Sequence, residues 1–292
     1  MNEEIYKSPL IIHMTTATQE KAIPKKDVFE SLHNISDKPY FEDKKHKVVL
    51  YKADCFAILP KLAENSIDMI FSDPPYFLSN GGITCHAGKM VSVNKGKWDE
   101  SKGVEENFQF TLRWLRECQR VLTPNGTIWV SGTSHIIYTV GSAMQALGYK
   151  ILNDIAWFKV NPPPNLSCRY FTHSTETILW AAKNKSSRHY FNYDLMRKKN
   201  NNKQMLSLWS IKAPGPLEKI YGKHPTQKPL ELLNRIVLAS TRPGDIVLDP
   251  FSGSSTTGIA AFSEGRQFMG IEREEDYLRV SLKRLKDAFN AK

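Results

Sequence analysis

Cysteine is scarce in this chain of 292 residues: Cys55, Cys85, Cys118 and Cys168 are all there is, and no two form a CxxC pair. That excludes a disulfide framework and a zinc-ligand spacing, and it fits a reducing interior. The eight histidines make no HExxH and no HxxxH that would set two ligands on one helical face, so no metal is expected. No apolar run approaches the roughly 18–20 residues of a spanning helix, which excludes an integral membrane protein. Near the start, Pro9-Leu10-Ile11-Ile12 is too short for a signal peptide, and a cytoplasmic address is expected. What is present looks ordinary for a globular chain, with 41% apolar and 24% charged residues. The apolar share suffices to offset chain entropy, so wholesale disorder is excluded. Lys and Arg number 40 against 30 Asp and Glu, a net charge of +10. Nucleic acid is the commonest partner for such an excess, though a solvated basic surface produces it too.

Residues 1–46 are polar and irregular and read as an appended arm. From Lys47 onward, short β-branched or aromatic runs alternate with helical stretches. Seven of these runs (48–51, 67–71, 127–131, 155–158, 177–182, 245–249 and 267–271) are nearly continuous in apolar residues, as strands covered on both faces are. Phe108, Leu112, Leu115 and Leu122 keep helical spacing, and Thr123-Pro124-Asn125-Gly126 ends that helix. Leu230, Leu233, Ile236 and Val237 make a second amphipathic helix between Pro229 and Pro243-Gly244. The alternation predicts an α/β fold with a doubly wound, mostly parallel, seven-stranded sheet. Two stretches break it. Residues 77–107 are too long for an ordinary connection. Residues 184–222 are rich in Lys, Arg and Asn with aromatics interspersed, a composition that suits phosphates and bases but also a solvated surface excursion.

The sharpest motif is Asp73-Pro74-Pro75-Tyr76, directly after the strand at 67–71. An aromatic exocyclic amine is a poor nucleophile because its lone pair is delocalised into the ring. A carboxylate and a backbone carbonyl, each accepting one N–H, favour a pyramidal nitrogen whose lone pair faces an electrophile. Asp73 and the carbonyl of Pro74 supply that pair, and consecutive prolines keep the turn rigid with no competing N–H. Tyr76 offers a face on which an extruded base stacks. A second motif, Asp249-Pro250-Phe251-Ser252-Gly253-Ser254-Ser255-Thr256-Thr257-Gly258, leaves a strand and opens an apolar helix. Small residues at a strand's carboxyl end let backbone approach a ligand closely. About twenty residues on, Glu272 stands where a carboxylate meets a ribose diol in dinucleotide folds. Because the turn is not GxGxxG, a nucleoside cofactor without phosphate fits better than a nicotinamide or flavin.

Together these motifs resemble the amino-group DNA methyltransferases that use S-adenosylmethionine, and Gly222-Lys223-His224-Pro225-Thr226-Gln227-Lys228-Pro229 is similar to the segment preceding their cofactor motif. The order, with the catalytic motif first and the cofactor motif last, resembles the permuted β class. Its likeness spans about residues 47–285. A closer resemblance lies in residues 73–82 and in Asn165-Leu166-Ser167-Cys168-Arg169-Tyr170-Phe171-Thr172-His173-Ser174-Thr175-Glu176-Thr177, which look like the second adenine methyltransferase of DpnII-type restriction systems. That resemblance implies methylation of adenine N6, with GATC as the site and single-stranded DNA accepted; relatives acting on cytosine N4 usually carry Ser at the position of Asp73.

Carried over residue by residue, the resemblance implies that Asp73, Pro74, Pro75 and Tyr76 hold the adenine. Asp54, Asp73, Thr226, Gln227, Asp249, Pro250, Phe251, Gly253, Ser254, Ser255 and Glu272 would face the cofactor. Glu272 takes its ribose, Asp54 its adenine ring, and Thr226 and Gln227 its amino-acid end. Where the usual pattern has Gly this chain has Ser255, whose side chain is expected to crowd the cofactor or to require a negative φ. The chain then divides into an arm (1–46), a catalytic half (47–183), a target-recognition insertion (184–221) and a cofactor-binding half (222–292). DNA contacts are expected from Lys89, Lys95 and Lys97 beside the catalytic motif, and from Arg169, Arg188, Arg197, Lys198 and Lys199, with Trp98 as a packing anchor or wedge. A homodimer and a paired restriction endonuclease are further implications. An RNA or protein amino-group methyltransferase, and a catalytically inactive DNA-binding regulator on the same fold, stay open as rival readings.

Overall fold

Strands buried on both faces must alternate their side chains between two cores, and this chain does so. The structure, a computed structural model, describes residues 27–291 apart from 33, 34, 36, 80–82, 87, 88, 93, 95, 97, 98, 163, 166 and 223; within 83–86 and 89–92 it describes the backbone alone. Lys95, Lys97, Trp98 and the side chain of Lys89 therefore lie outside the described residues. The elements run β1 (Phe41–Asp43), β2 (Val48–Lys52), α1 (Cys55–Ile58), β3 (Ile67–Ser72), then a hairpin of β4 (Ile83–His86) and β5 (Lys89–Ser92). Next come α2 (Val104–Val121), β6 (Leu122–Gly132), α3 (Ile137–Ala146), β7 (Lys150–Phe158), β8 (Thr175–Ala182), α4 (Tyr193–Lys199) and β9 (Leu208–Ser210). The chain closes with α5 (Leu230–Ser240), β10 (Ile246–Asp249), α6 (Thr256–Ser263), β11 (Gln267–Glu272) and α7 (Glu275–Asn290).

All seven expected strands form, but the sheet has nine, in the order β1-β2-β11-β10-β3-β6-β8-β7-β9. The two additions, β1 and β9, are three-residue edge strands too short to leave a pattern. From β2 to β6 the neighbours are parallel, whereas β8 runs antiparallel to both β6 and β7. Val49 and Tyr51, Ile246 and Leu248, and Met269 and Ile271 point to a core shared with α2 and α3. Their neighbours Val48, Leu50, Val247 and Phe268 point to a second core under α5, α6 and α7. Gly258 in α6 lies flat on that second core: a Cβ there would stand 2.5 Å from the Phe268 ring.

The helix expected to end at Thr123–Gly126 ends at Val121, and residues 123–126 instead form a bulge in β6: Leu122 pairs with Ile67, while Thr127 already pairs with Met69. The boundary drawn at residue 46 falls inside the sheet. Phe41 pairs with Leu50 across β1 and β2, and Val28, fully buried, donates its backbone N–H to Gln267 Oε1 at 2.9 Å.

The second core is anchored by Trp129, 1% exposed, stacked at 4.7 Å on Trp180 and donating from Nε1 to Ser240 Oγ at 3.0 Å. Trp129→Ala is expected to lower stability by about 3–5 kcal/mol, read as a lower urea midpoint; an unchanged midpoint would show that this stack does not join the sheet to α5.

Candidate active site

In an open α/β sheet, a crevice forms where consecutive crossovers leave to opposite faces. Here that point lies between β3, whose following helix α2 packs on the first core, and β10, whose helix α6 packs on the second. A cleft opens there, at the carboxyl ends of the parallel strands. Asp73, Pro74, Pro75 and Tyr76 form one wall, and Pro250, Phe251 and Glu272 another. Asp54 and Thr226 also face it, together with Phe110, His224 and Tyr277, which the sequence reading did not single out.

The tetrapeptide is held by a residue 20-odd positions away. Asp99, fully buried, accepts from the backbone N–H groups of Tyr76 at 2.7 Å, Phe77 at 2.8 Å and Leu78 at 3.2 Å, and from Ser79 Oγ at 2.9 Å. These bonds offset the left-handed backbone at Phe77, φ +57°. Nothing in the sequence marks Asp99 out, because its role is a contact across a long irregular segment.

At the floor of the cleft Asp73 belongs to a buried charge cluster. Tyr76 donates its hydroxyl to Asp73 Oδ1 at 2.6 Å, and Lys228 Nζ donates to Asp73 Oδ2 at 2.5 Å and to the Tyr76 hydroxyl at 3.1 Å. The same ammonium stands 3.6 Å from Glu176, whose other oxygen takes Lys159. Burial alone would raise the Glu176 carboxyl, but Lys228 and Lys159 overcome it and hold it at about 2. Burial would likewise lower Lys228, yet Asp73 and Glu176 hold its ammonium above the ordinary lysine range. Asp73 itself is pushed up by burial, with Lys228 opposing and Glu176 reinforcing. Lys228 and Glu176 both sit in segments whose likeness was noted, so a signal was present; their role was not. Tyr76, expected to offer a stacking face, is 5% exposed and acts through its hydroxyl as well.

The second wall is a tight turn. Gly253, φ +50°, donates its N–H to Glu272 Oε2 at 2.8 Å, and a Cβ there would meet His224 Nε2 at 2.9 Å. Glu274 N–H donates to Glu272 Oε1 at 2.7 Å; burial nevertheless leaves the Glu272 carboxyl raised. Ser255 corrects the expectation made for it. It adopts the left-handed conformation a glycine would, φ +55°, and its hydroxyl turns into the protein to pair with Ser252 Oγ at 2.8 Å. A left-handed non-glycine residue costs roughly 1–2 kcal/mol, and the cleft is not crowded by it. Gln227, Asp249, Gly253, Ser254 and Ser255 stand behind the cleft wall rather than on it. Gln227 bridges Ser254 Oγ and the Glu218 carbonyl, and Arg284 Nη1 braces the carbonyl of Ser254 at 2.7 Å. Asp54 caps α1, accepting from Phe56 N–H at 2.9 Å.

The cationic residues divide between the two ends of the sheet. Because β8 is antiparallel, residues 183–192 leave it at the end opposite the cleft. There Ser187 Oγ donates to the Pro124 carbonyl and Arg188 N–H to Asn125 Oδ1, both in the bulge that opens β6. Asn192 N–H donates to the Ala239 carbonyl in the last turn of α5, and α4, with Arg197, Lys198 and Lys199, begins at that point. The structure thus does not bring Arg188 to the cleft with Asp73. Arg169 lies in the β7–β8 connection, at the cleft end.

A profile described as DNA methylase matches residues 67–283. The chain is 56% identical over 249 residues to the Type II methyltransferase M2.DpnII of Streptococcus pneumoniae, covering 85% of this chain and 92% of that one. It is 51% identical over 247 residues to the Type II methyltransferase M2.MboI of Moraxella bovis, covering 85% and 90%. Among solved structures, the M1.HpyAVI–SAM complex superposes with a TM-score of 0.63 at 32% identity, over 82% of this chain and 98% of that one. The PvuII cytosine-N4-specific methyltransferase shares the fold, TM-score 0.67 at 19% identity, over 87% and 95%.

Burial pushes Asp249 up to about 7, although Thr257 Oγ1 donates to it at 2.6 Å and Phe251 N–H at 3.1 Å. The folded state thus keeps a proton that the unfolded state gives up near 3.8, so stability falls as pH rises from about 4 through 7. Asp249→Asn is expected to flatten that decline, a difference on the order of 4 kcal/mol at pH 8. Urea midpoints of both proteins at pH 5 and pH 8 measure it; parallel pH dependences would refute the assignment.

Proposed function

The chain belongs to the N6/N4 DNA methylase family and is an S-adenosylmethionine-dependent DNA methyltransferase, and from that premise we propose that its target is the N6 amine of adenine. The carrying observation is Asp73 at the floor of the cleft, with one oxygen on Tyr76 and the other on Lys228. A carboxylate in that place accepts an amine N–H, while the Pro74 carbonyl supplies the second acceptor that a pyramidal nitrogen needs. The DNA methylase family match and the likeness to Type II methyltransferases favour DNA over RNA or protein as the substrate.

The cleft suits the cofactor chemically. Glu272 presents a carboxylate for the two hydroxyls of a ribose, Asp54 one for an adenine amine, and Pro250 and Phe251 an apolar wall; Thr226 completes the end nearest Asp73. The closed turn at Gly253 leaves no side chain between that wall and His224. When bound, S-adenosylmethionine supplies an electrophilic methyl group on a sulfonium sulfur. As N6 forms its new bond it gains positive charge, which the ionised Asp73 stabilises, a contribution concentrated in the transition state. The methylated nitrogen is then acidic and loses its proton without a strong base. Lys228 favours the ionised form of Asp73, against burial and Glu176, which both favour the protonated acid.

Recognition of GATC, acceptance of single-stranded DNA, a partner endonuclease, a homodimer and a cytoplasmic address belong to the same proposal. They rest on the likeness to M2 enzymes of Type II systems. Among the described residues no helix is long and apolar enough to cross a membrane.

Asp73→Ala is expected to lower methyl incorporation into DNA at least ~100-fold while DNA affinity stays within a few-fold. Near-normal methylation by that variant would sink the assignment. Lys228→Met is expected to move the acid limb of kcat/KM to higher pH, because the main influence that lowers Asp73 is gone while burial and Glu176 still raise it against the Tyr76 hydroxyl alone; a limb that stays put or moves to lower pH would show that Lys228 does not govern its ionisation.

A further inference from the structure

The excursion whose neck stands beside the catalytic cluster is the connection between β7 and β8, whereas residues 183–192 of the basic stretch leave β8 at the opposite end. Its two ends are tied together where Lys159 N–H donates to the Ser174 carbonyl at 2.8 Å. That neck rests on the buried charge cluster, since Lys159 pairs with Glu176, and Glu176 with the ammonium that holds Asp73. The connection therefore leaves the protein directly beside the target-binding carboxylate. His173 of this connection lies near the turn after β6, its ring 6.4 Å from that of His135, and 5.5 Å from that of Tyr170 in the connection itself.

Its tip has an unusual surface. Phe171 is 97% exposed and Tyr170 61% exposed, with the exposed Arg169 immediately before them. The backbone behind these residues is organised: Asn165 Nδ2 donates to the Tyr170 carbonyl at 2.6 Å, and Asn165 Oδ1 accepts from Ser167 N–H at 3.0 Å. Two aromatic rings held out in water cost free energy unless a partner covers them. A cation beside flat rings fits nucleic acid, in which phosphate meets guanidinium and each base presents a π-face.

We propose that Arg169, Tyr170 and Phe171 form a stacking platform for the nucleotides flanking the target adenine, with Phe171 stacking on a base and Arg169 meeting a phosphate. This rests on the reading of the chain as a DNA adenine methyltransferase and moves its principal DNA contact from Arg188 and the α4 cations Arg197, Lys198 and Lys199 to the β7–β8 connection. Stacking on a base face tolerates any sequence, so the platform serves grip and placement of the strand, and reading of the site falls to other groups.

The experiment uses the full-length protein with an oligonucleotide carrying 2-aminopurine next to the target adenine, in single- and double-stranded form. Wild-type protein is expected to quench the fluorophore. Phe171→Ala should lose that quenching and weaken DNA binding ~5–100-fold, the span of one lost base stack, while Phe171→Trp retains both. Arg169→Ala should lower the slope of log affinity against log salt by about 1. The affinity of each variant for S-adenosylmethionine should match the wild type, which separates lost DNA contact from lost fold. The proposal is overturned if Phe171→Ala binds and quenches like the wild type, or if Arg188→Ala or Arg197→Ala costs more DNA affinity than Phe171→Ala. Failure of the wild-type protein to methylate any DNA would instead overturn the adenine reading, and this proposal with it.

Discussion

A buried charge must have a partner, and in this protein one such requirement joins three distant parts of the chain. Lys228 lies 155 residues from Asp73; the lysine is buried, and the carboxylate meets water only through the cleft it lines. Removing either partner would strand the other, at a cost of roughly 3–5 kcal/mol. Glu176, from the antiparallel strand β8, balances the second positive charge of Lys159. The end of β3, the neck between β7 and β8, and the segment leading into α5 therefore take fixed positions relative to one another. The catalytic wall, the connection beside it and the approach to the cofactor wall are set by one electrostatic condition.

The other wall depends on backbone rather than charge. Two positive-φ residues, Gly253 and Ser255, bend the chain between β10 and α6 so that Glu272 is gripped by a backbone N–H. Glycine serves at the first because a side chain would strike His224. A serine is tolerated at the second because its hydroxyl finds Ser252 inside the protein. The departure from the usual glycine is thus a local exchange of strain for a hydrogen bond, hidden from the ligand.

Most of the sheet was legible because strands covered on both faces are apolar at every position, and seven runs of that kind stand out. β1 and β9 escaped notice because three residues, one set of them Phe-Glu-Asp, carry no period. The tetrapeptide, the Gly/Ser turn and Glu272 were legible because strand-end chemistry is local in sequence. Asp99 and the Lys228–Glu176 link were not, because each acts through a contact between residues far apart in the chain. Nor could composition tell at which end of the sheet a basic stretch emerges. That depends on strand direction: the reversal of β8 puts residues 183–192 opposite the cleft and the β7–β8 connection beside it.

The register of β2 against β11 has a temporal side. Val48 pairs with Phe268, and Leu50 with Gly270, so the strand leading to Asp54 has its parallel neighbour near the end of the chain. During synthesis, at about 5–20 residues per second, the intervening span of about 220 residues takes on the order of 10–40 s to make. For that interval the fully apolar run Val48-Val49-Leu50 lacks the neighbour that covers it. The half of the cleft that carries Asp54 and Glu272 is completed last, and the nascent chain must shield this sticky strand until then.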